Sequence, residues 1–199
     1  MRKKGELRDT GTDLLARINA QVKGVSYPPV HLWHPDFCGE IDMRIARDGS
    51  WYYMGTPIGR PAMVKLFSSV LRLDDDGVYY LVTPVEKLAV RVDDAPLFVV
   101  AATREGDGKK QNIRFRTKTD DVVIADQDHP MWVDVDPNTD EPSPYVHIRA
   151  GLNALIARSV FYDLVNWAVP AADDPHRLGL WSGGVFFDLG AFATGEADD

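Results

Sequence analysis

With 199 residues, 45% of them apolar, the chain is long enough for one large domain or two small ones and can bury a core. Its formal net charge of −8 comes from scattered Asp and Glu, which excludes nucleic acid as a partner, because a polyanion needs a basic patch. Cys38 is the single cysteine, so no intrachain disulfide can form.

The basic start, Arg2-Lys3-Lys4, is followed by no apolar stretch and is not a signal peptide. The longest apolar run, Ala95 to Ala102, falls far short of the ~20 residues that cross a bilayer. A soluble, cytoplasmic protein that engages no membrane is therefore expected. Lys109-Lys110 is read as a hairpin tip.

Thr12 can cap a helix whose Leu14, Leu15, Ile18 and Val22 share one face, ending near Lys23-Gly24. Pro28-Pro29 then forces extended chain. Ile41 to Arg47 alternates apolar and polar residues, Asp48-Gly49 follows, and Trp51 to Met54 completes a predicted hairpin. Pro61 suits the first turn of a helix carrying Met63, Leu66, Phe67, Val70 and Leu71 on one stripe. Further strands are predicted at Val78–Val82, Leu88–Val92, Leu97–Thr103, Ile113–Thr117 and Val122–Ala125. Met131–Val135 and Tyr145–Ile148 make a second hairpin around a Pro-rich loop, and a helix is predicted from Leu152 to Trp167. Ala171 to Gly183 reads as an irregular insertion, Val185–Leu189 as the last strand, and Gly195–Asp199 as a polar tail.

A shift of 94 residues carries Met63, Leu66, Phe67, Val70 and Leu71 onto Ala157, Val160, Phe161, Leu164 and Val165, and Trp51-Tyr52-Tyr53 onto Tyr145-Val146-His147. With a 13-residue insertion, Gly77 to Leu81 overlays Gly184 to Asp188. The expected class is α+β: two degenerate copies of a hairpin–helix–strand unit with antiparallel sheets. The expected boundaries are 1–24 for the N-terminal helix, 25–94 and 95–190 for the two α+β domains, and 191–199 for the tail.

Trp33-His34-Pro35-Asp36-Phe37-Cys38-Gly39-Glu40-Ile41-Asp42-Met43-Arg44-Ile45 is followed by Gly55-Thr56-Pro57-Ile58-Gly59-Arg60-Pro61 and by Val82-Thr83-Pro84-Val85-Glu86-Lys87. With these strings in order, the stretch from about Pro28 to Leu189 resembles the bacterial family known as Domain of Unknown Function 1285. The resemblance implies two related α+β domains, the second superficially like a pleckstrin-homology fold. It also implies a nucleotide-like ligand between them and a role in signalling.

Gly55 to Pro61 links a strand to a helix start, where free N–H groups and the positive dipole end attract anions. Gly59 allows close backbone approach, Thr56 offers a hydroxyl, and Arg60 a bidentate fork for phosphate or carboxylate. A tight turn with Arg60 bonded to Glu40 or Asp42 is the competing reading. Glu86 and Lys87 are candidates for the same site, and Arg44, sharing a strand face with Asp42, for a second cationic anchor. A plain Asp42–Arg44 surface pair is equally compatible. The aromatics Trp33, Trp51, Tyr52, Tyr79 and Tyr80 read as core or cross-strand pairs rather than base-stacking platforms.

His34, Asp36, Cys38, Glu40 and Asp42 lie within nine residues, but one Cys and one His on extended chain lack the paired spacing of a zinc site. Cys38 as nucleophile needs a base in reach and reads rather as a buried structural thiol. Trp181-Ser182-Gly183-Gly184 is a turn, not a Gly-x-Ser-x-Gly elbow. No cofactor, metal or catalytic residue is assigned. The leading expectation is a non-enzymatic module for a small anionic or nucleotide-like ligand held by Arg44, Thr56, Gly59, Arg60 and Lys87. A protein-interaction module and a hydrolase using the His34–Cys38 region are the alternatives.

Overall fold

The structure is a computed structural model that describes Ala16, Ile18 and residues 27–191. The chain divides into two compact units, one of 1–45 and 50–92, the other of 46–49 and 93–199. The helix expected over 12–24 and the tail expected from 195 lie outside the described residues, apart from Ala16 and Ile18, which are helical, with Ile18 fully buried.

In the first unit, β1 (Phe37–Ile45) and β2 (Trp51–Tyr53) form the predicted hairpin, Ile45 opposite Trp51 and Met43 opposite Tyr53. Met43, Ile45 and Trp51 point into the core while Asp42 stays exposed, as the period of two requires. β2 continues into β3 (Thr56–Pro57) through a two-residue loop, Met54-Gly55, in which both residues have positive φ, 48° and 74°. That is the geometry of a type I′ turn, whose twist matches the strands it joins.

Helix α1 (Pro61–Ser69) begins with Pro61 in its first turn and buries Phe67, whose ring stacks on Trp51 at 6.2 Å between centroids. β4 (Leu71–Leu73), β5 (Tyr79–Val82) and β6 (Lys87–Val92) return as an antiparallel meander. β6 pairs in parallel with β1, giving one six-stranded sheet in the order β3-β2-β1-β6-β5-β4.

In the second unit, β7 (Leu97–Glu105), β8 (Asn112–Thr117) and β9 (Val122–Ile124) form one antiparallel meander, and β10 (Met131–Val135), β11 (Pro142–Arg149) and β12 (Leu152–Ile156) a second. They join through a parallel β12–β7 pair into a sheet ordered β10-β11-β12-β7-β8-β9. Helix α2 (Arg158–Asn166) follows and buries Val160, Phe161 and Leu164. β13 (Val169–Pro170), β14 (Arg177–Ser182) and β15 (Val185–Ala191) form a separate three-stranded antiparallel sheet.

The expected α+β class, with antiparallel sheets and a pleckstrin-homology-like second copy, is corrected to a mostly β protein: of the described residues 47% are strand and 16% helix, in three sheets. Each six-stranded sheet contains one parallel pair. The overestimate of helix has a local cause. Leu152–Ile156 is strand β12, not the start of a helix, because Ala150-Gly151 (φ 44° and 76°) turns the chain back onto β11. A buried apolar run has no period that separates strand from helix. Val70 and Leu71, assigned to the first helix stripe, lie beyond its end, and the expected irregular insertion contains β14.

The duplication itself is larger than a hairpin, helix and strand. Three antiparallel strands, a nine-residue helix and three more strands occur in both units. The loops Met54-Gly55 and Ala150-Gly151 occupy the same place in each plan, between its second and third strands. Helix N-cap Arg60 then corresponds to Ala157, and not to Ala154, where the 94-residue shift places it.

Candidate functional site

An open-mouthed cavity of about 640 Å³ lies in the second unit. Its wall is apolar: Phe98 of β7, Leu155 and Ile156 of β12, Phe161 and Val165 of α2, with Pro142 and Pro144 from the start of β11. Leu155, Ile156 and Phe161 are buried, whereas Tyr162 is 54% exposed at the edge. The same edge carries four charges, Arg47, Asp48, Glu141 and Arg158.

Arg47 is held by two bonds, Nη2 to Ser143 Oγ at 2.7 Å and Nε to Asp94 at 3.2 Å. Arg158 Nε donates to Tyr162 Oη at 2.9 Å, and Nη1 lies 3.8 Å from Glu141. The Tyr162 hydroxyl and the Glu141 charge both hold the Arg158 guanidinium more firmly in its charged form. Arg158 opens α2, whose N-cap, Ala157, supplies no side-chain cap. The first amides of the helix thus lack a side-chain acceptor next to the cavity's edge. Chemically, the cavity combines an apolar wall with guanidinium donors at its mouth.

The residues singled out from sequence fall in the first unit and do not converge. Thr56, Gly59 and Arg60 are exposed, and a Cβ on Gly59 would touch nothing within 4 Å. Among the described residues Arg60 bonds neither Glu40 nor Asp42. Lys87 is engaged elsewhere: its Nζ donates to Asp74 Oδ2 at 2.5 Å and lies 4.0 Å from the Tyr80 ring centroid.

Arg72 grips the same Asp74 carboxylate at 2.5 and 3.1 Å and donates to the carbonyls of Val30 and Trp33. Partial burial pushes the Asp74 carboxyl upward, but the bonds from Arg72 and Lys87 outweigh it and hold the carboxyl below its ordinary range. Arg44 stands across β1 and β2 from Tyr52, its guanidinium 4.7 Å from the ring centroid. Lys87 and the β6 partner of Arg44, Arg91, are four residues apart on one strand, about 13 Å, so Arg44 and Lys87 do not share one small ligand.

Cys38 is exposed rather than buried, and its thiol donates to the Asp36 carbonyl at 3.3 Å. Ser182 is fully buried between the Ile113 amide and the Ala125 carbonyl, a structural role at the end of β14. Among the described residues no three His, Cys, Asp or Glu side chains gather as metal ligands. No helix among them is long and apolar enough to cross a membrane.

The cavity residues escaped sequence reasoning because Leu155 and Ile156 were assigned to a helix. Gly151, ahead of an apolar run, was the available signal for a turn into a strand.

Fold and cavity together define a mostly β protein of two related units, the second carrying an apolar pocket edged with arginine. Residues 28–95 match the N-terminal domain, and residues 96–189 the C-terminal domain, of the domain of unknown function DUF1285. The chain belongs to the DUF1285 family. It is similar to the crystal structure of a DUF1285 family protein from Silicibacter pomeroyi DSS-3, with 50% identity, a TM-score of 0.82, and coverage of 89% of this chain and 94% of that one. A DUF1285 family protein from Shewanella baltica OS155 shows 30% identity over 63% of this chain and 91% of its own, with a TM-score of 0.48. No curated protein matches the chain.

Proposed function

We propose that the second unit binds a small amphipathic anion, an apolar or aromatic body with a carboxylate or phosphate head, without transforming it. The observation that carries this reading is the apolar cavity of about 640 Å³ with Arg47 and Arg158 at its mouth. That volume lies in the range of ligand pockets, roughly 300–1,000 Å³. The body rests against Phe98, Leu155 and Phe161, and the head meets Arg158 and the adjoining uncapped turn of α2.

Glu141 and Asp48 at the same edge oppose a second negative charge, so singly charged heads are favoured over di- and triphosphates. Calorimetry with 8-anilinonaphthalene-1-sulfonate, octanoate and AMP tests the reading. Saturable binding of at least one probe, weakened in the Arg47→Ala/Arg158→Ala double variant, supports it. Absence of binding, or binding that the double variant leaves intact, overturns it.

A further inference from the structure

The two arginines at the mouth of the second unit's cavity are held in different ways. Arg158 is tethered only by exposed side chains, Glu141 at 3.8 Å and the Tyr162 hydroxyl at 2.9 Å. The Arg47 side chain is 59% exposed, and fixing so exposed an arginine in one geometry opposes its rotamer entropy. It is nevertheless fixed along one edge. Its Nε donates to Asp94 Oδ2 at 3.2 Å and its Nη2 to Ser143 Oγ at 2.7 Å. Nε and Nη2 share the side edge of the planar guanidinium, so both tethers act there. The end edge, Nη1 with the second Nη2 hydrogen, makes no hydrogen bond or ion pair among the described residues. Such an end edge is a two-donor fork that matches a carboxylate.

Asp94, which does not line the cavity, is itself held. Its Oδ1 accepts from Tyr145 Oη at 2.9 Å, and a further bond joins the Tyr145 hydroxyl to Ser143. Arg47, Asp94, Tyr145 and Ser143 thus close a ring in which each side chain bonds two others. Trp132 stacks on the Tyr145 ring, 5.5 Å between centroids. Burial, and then the Asp94 bond, push the Tyr145 hydroxyl above its ordinary value, so it keeps the proton that it gives to Asp94. Ser143 and Tyr145 lie two residues apart on β11, hence on one face, and the strand backbone sets their spacing.

We infer that Asp94 is a positioning residue for the head of the ligand proposed above: it holds the Arg47 fork end-on, so that Nη1 and Nη2 together take a planar carboxylate. The inference rests on that proposed binding and adds a carboxylate head and a residue that acts through Arg47. It also fixes a sign. Through charge alone Asp94 would weaken the binding of an anion, whereas through the orientation of Arg47 it strengthens it.

The test is calorimetry on the full chain with octanoate and octanamide, two probes with the same body and planar heads of different charge. The parent should hold octanoate about tenfold more tightly than octanamide, since hydrogen bonds to charged groups carry factors of that size. Asp94→Ala should cut this preference about threefold or more by weakening octanoate alone, with a melting curve close to the parent's. Ser143→Ala should act in the same direction. In the Arg47→Ala background, Asp94→Ala should no longer change the preference. Tighter octanoate binding in Asp94→Ala, an equal loss for both probes, or an effect of Asp94→Ala that persists without Arg47 overturns the inference and leaves the cavity's proposed ligand in place. Where Asp94→Ala does not fold, Ser143→Ala decides, and a preference unchanged from the parent's overturns the inference. A parent that binds 8-anilinonaphthalene-1-sulfonate but shows no preference for octanoate also overturns the inference alone. A parent that binds neither anion overturns both.

Discussion

Arg149 at the end of β11 donates through Nε to Asp121 Oδ1 at 3.0 Å, although β12 and β7 stand between β11 and β8 in the sheet order. Asp121 is 4% exposed and Arg149 20%. The other carboxylate oxygen accepts from Thr119 at 2.7 Å and Thr117 at 3.0 Å, so the charge is paired and hydrogen-bonded. The pair ties the β8–β9 turn to the far meander of the same sheet.

Asp121→Asn should destabilise the second unit by about 3 kcal/mol, because removing one member of a buried pair leaves the other uncompensated. Urea denaturation with tryptophan fluorescence reads the loss. Burial alone would raise the Asp121 carboxyl pKa, but the Thr119 bond, the Arg149 charge and bond, and the Thr117 bond outweigh it and hold it below 3.8. A depressed pKa gives stability that is present above the unfolded value and lost as pH falls through the folded one. Parent stability should therefore drop on acidification below roughly pH 4, and Asp121→Asn should flatten that drop.

Gly49→Ala should destabilise the β1–β2 hairpin tip. Its φ is +71°, and an added Cβ would stand 2.5 Å from Phe98 Cβ. Strain and overlap of this kind cost about 1–3 kcal/mol each, visible as a lowered melting temperature. Gly59→Ala, with open space around it, should change stability by less than about 0.5 kcal/mol.

Phe67→Ala removes a ring that is 1% exposed and stacked on Trp51. A loss of about 3–5 kcal/mol is expected. Changed Trp51 fluorescence in the native baseline would accompany it.

Arg60→Ala should leave stability within about 0.5 kcal/mol of the parent, because its backbone carbonyl, which accepts from Met63 and Val64, is kept in the variant, and the exposed Arg60 side chain makes no hydrogen bond or ion pair among the described residues. It should also leave binding of the amphipathic anion unchanged, whereas Arg158→Ala weakens it. Calorimetry on the two variants side by side checks this, and a binding loss confined to Arg60→Ala would return the site to the start of α1.

Arg72→Ala should cost more than Lys87→Ala in thermal unfolding. Arg72 serves the Asp74 carboxylate together with the Val30 and Trp33 carbonyls, and Lys87 serves the carboxylate alone, with its charge beside Tyr80. Carbonyls deprived of their donors cost about 1–3 kcal/mol each where they are buried.

Much of the strand pattern was legible. Alternation around Asp48-Gly49, the runs at Val78, Leu88, Leu97 and Ile113, and Pro61 at a helix start depend on neighbours in the chain, and each became the element expected. The recurrence of the plan was legible too, because equivalent core positions demand similar residues. Its extent was not. β3, β4, β13 and β14 are short or flanked by weak signals, and their pairing energy comes from partners far along the chain.

By itself, then, the sequence determined the local grammar of this DUF1285 protein: its turns, its alternating strands, its helix start at Pro61 and the family to which its motifs point. Tertiary structure alone decided that Leu152–Ile156 is a strand, that Lys87 is spent on Asp74, and that Phe98, Phe161 and Arg158 meet at one cavity. Periodicity records which face of a segment is apolar. It does not record which distant segment covers that face, or which charge a lysine will find there.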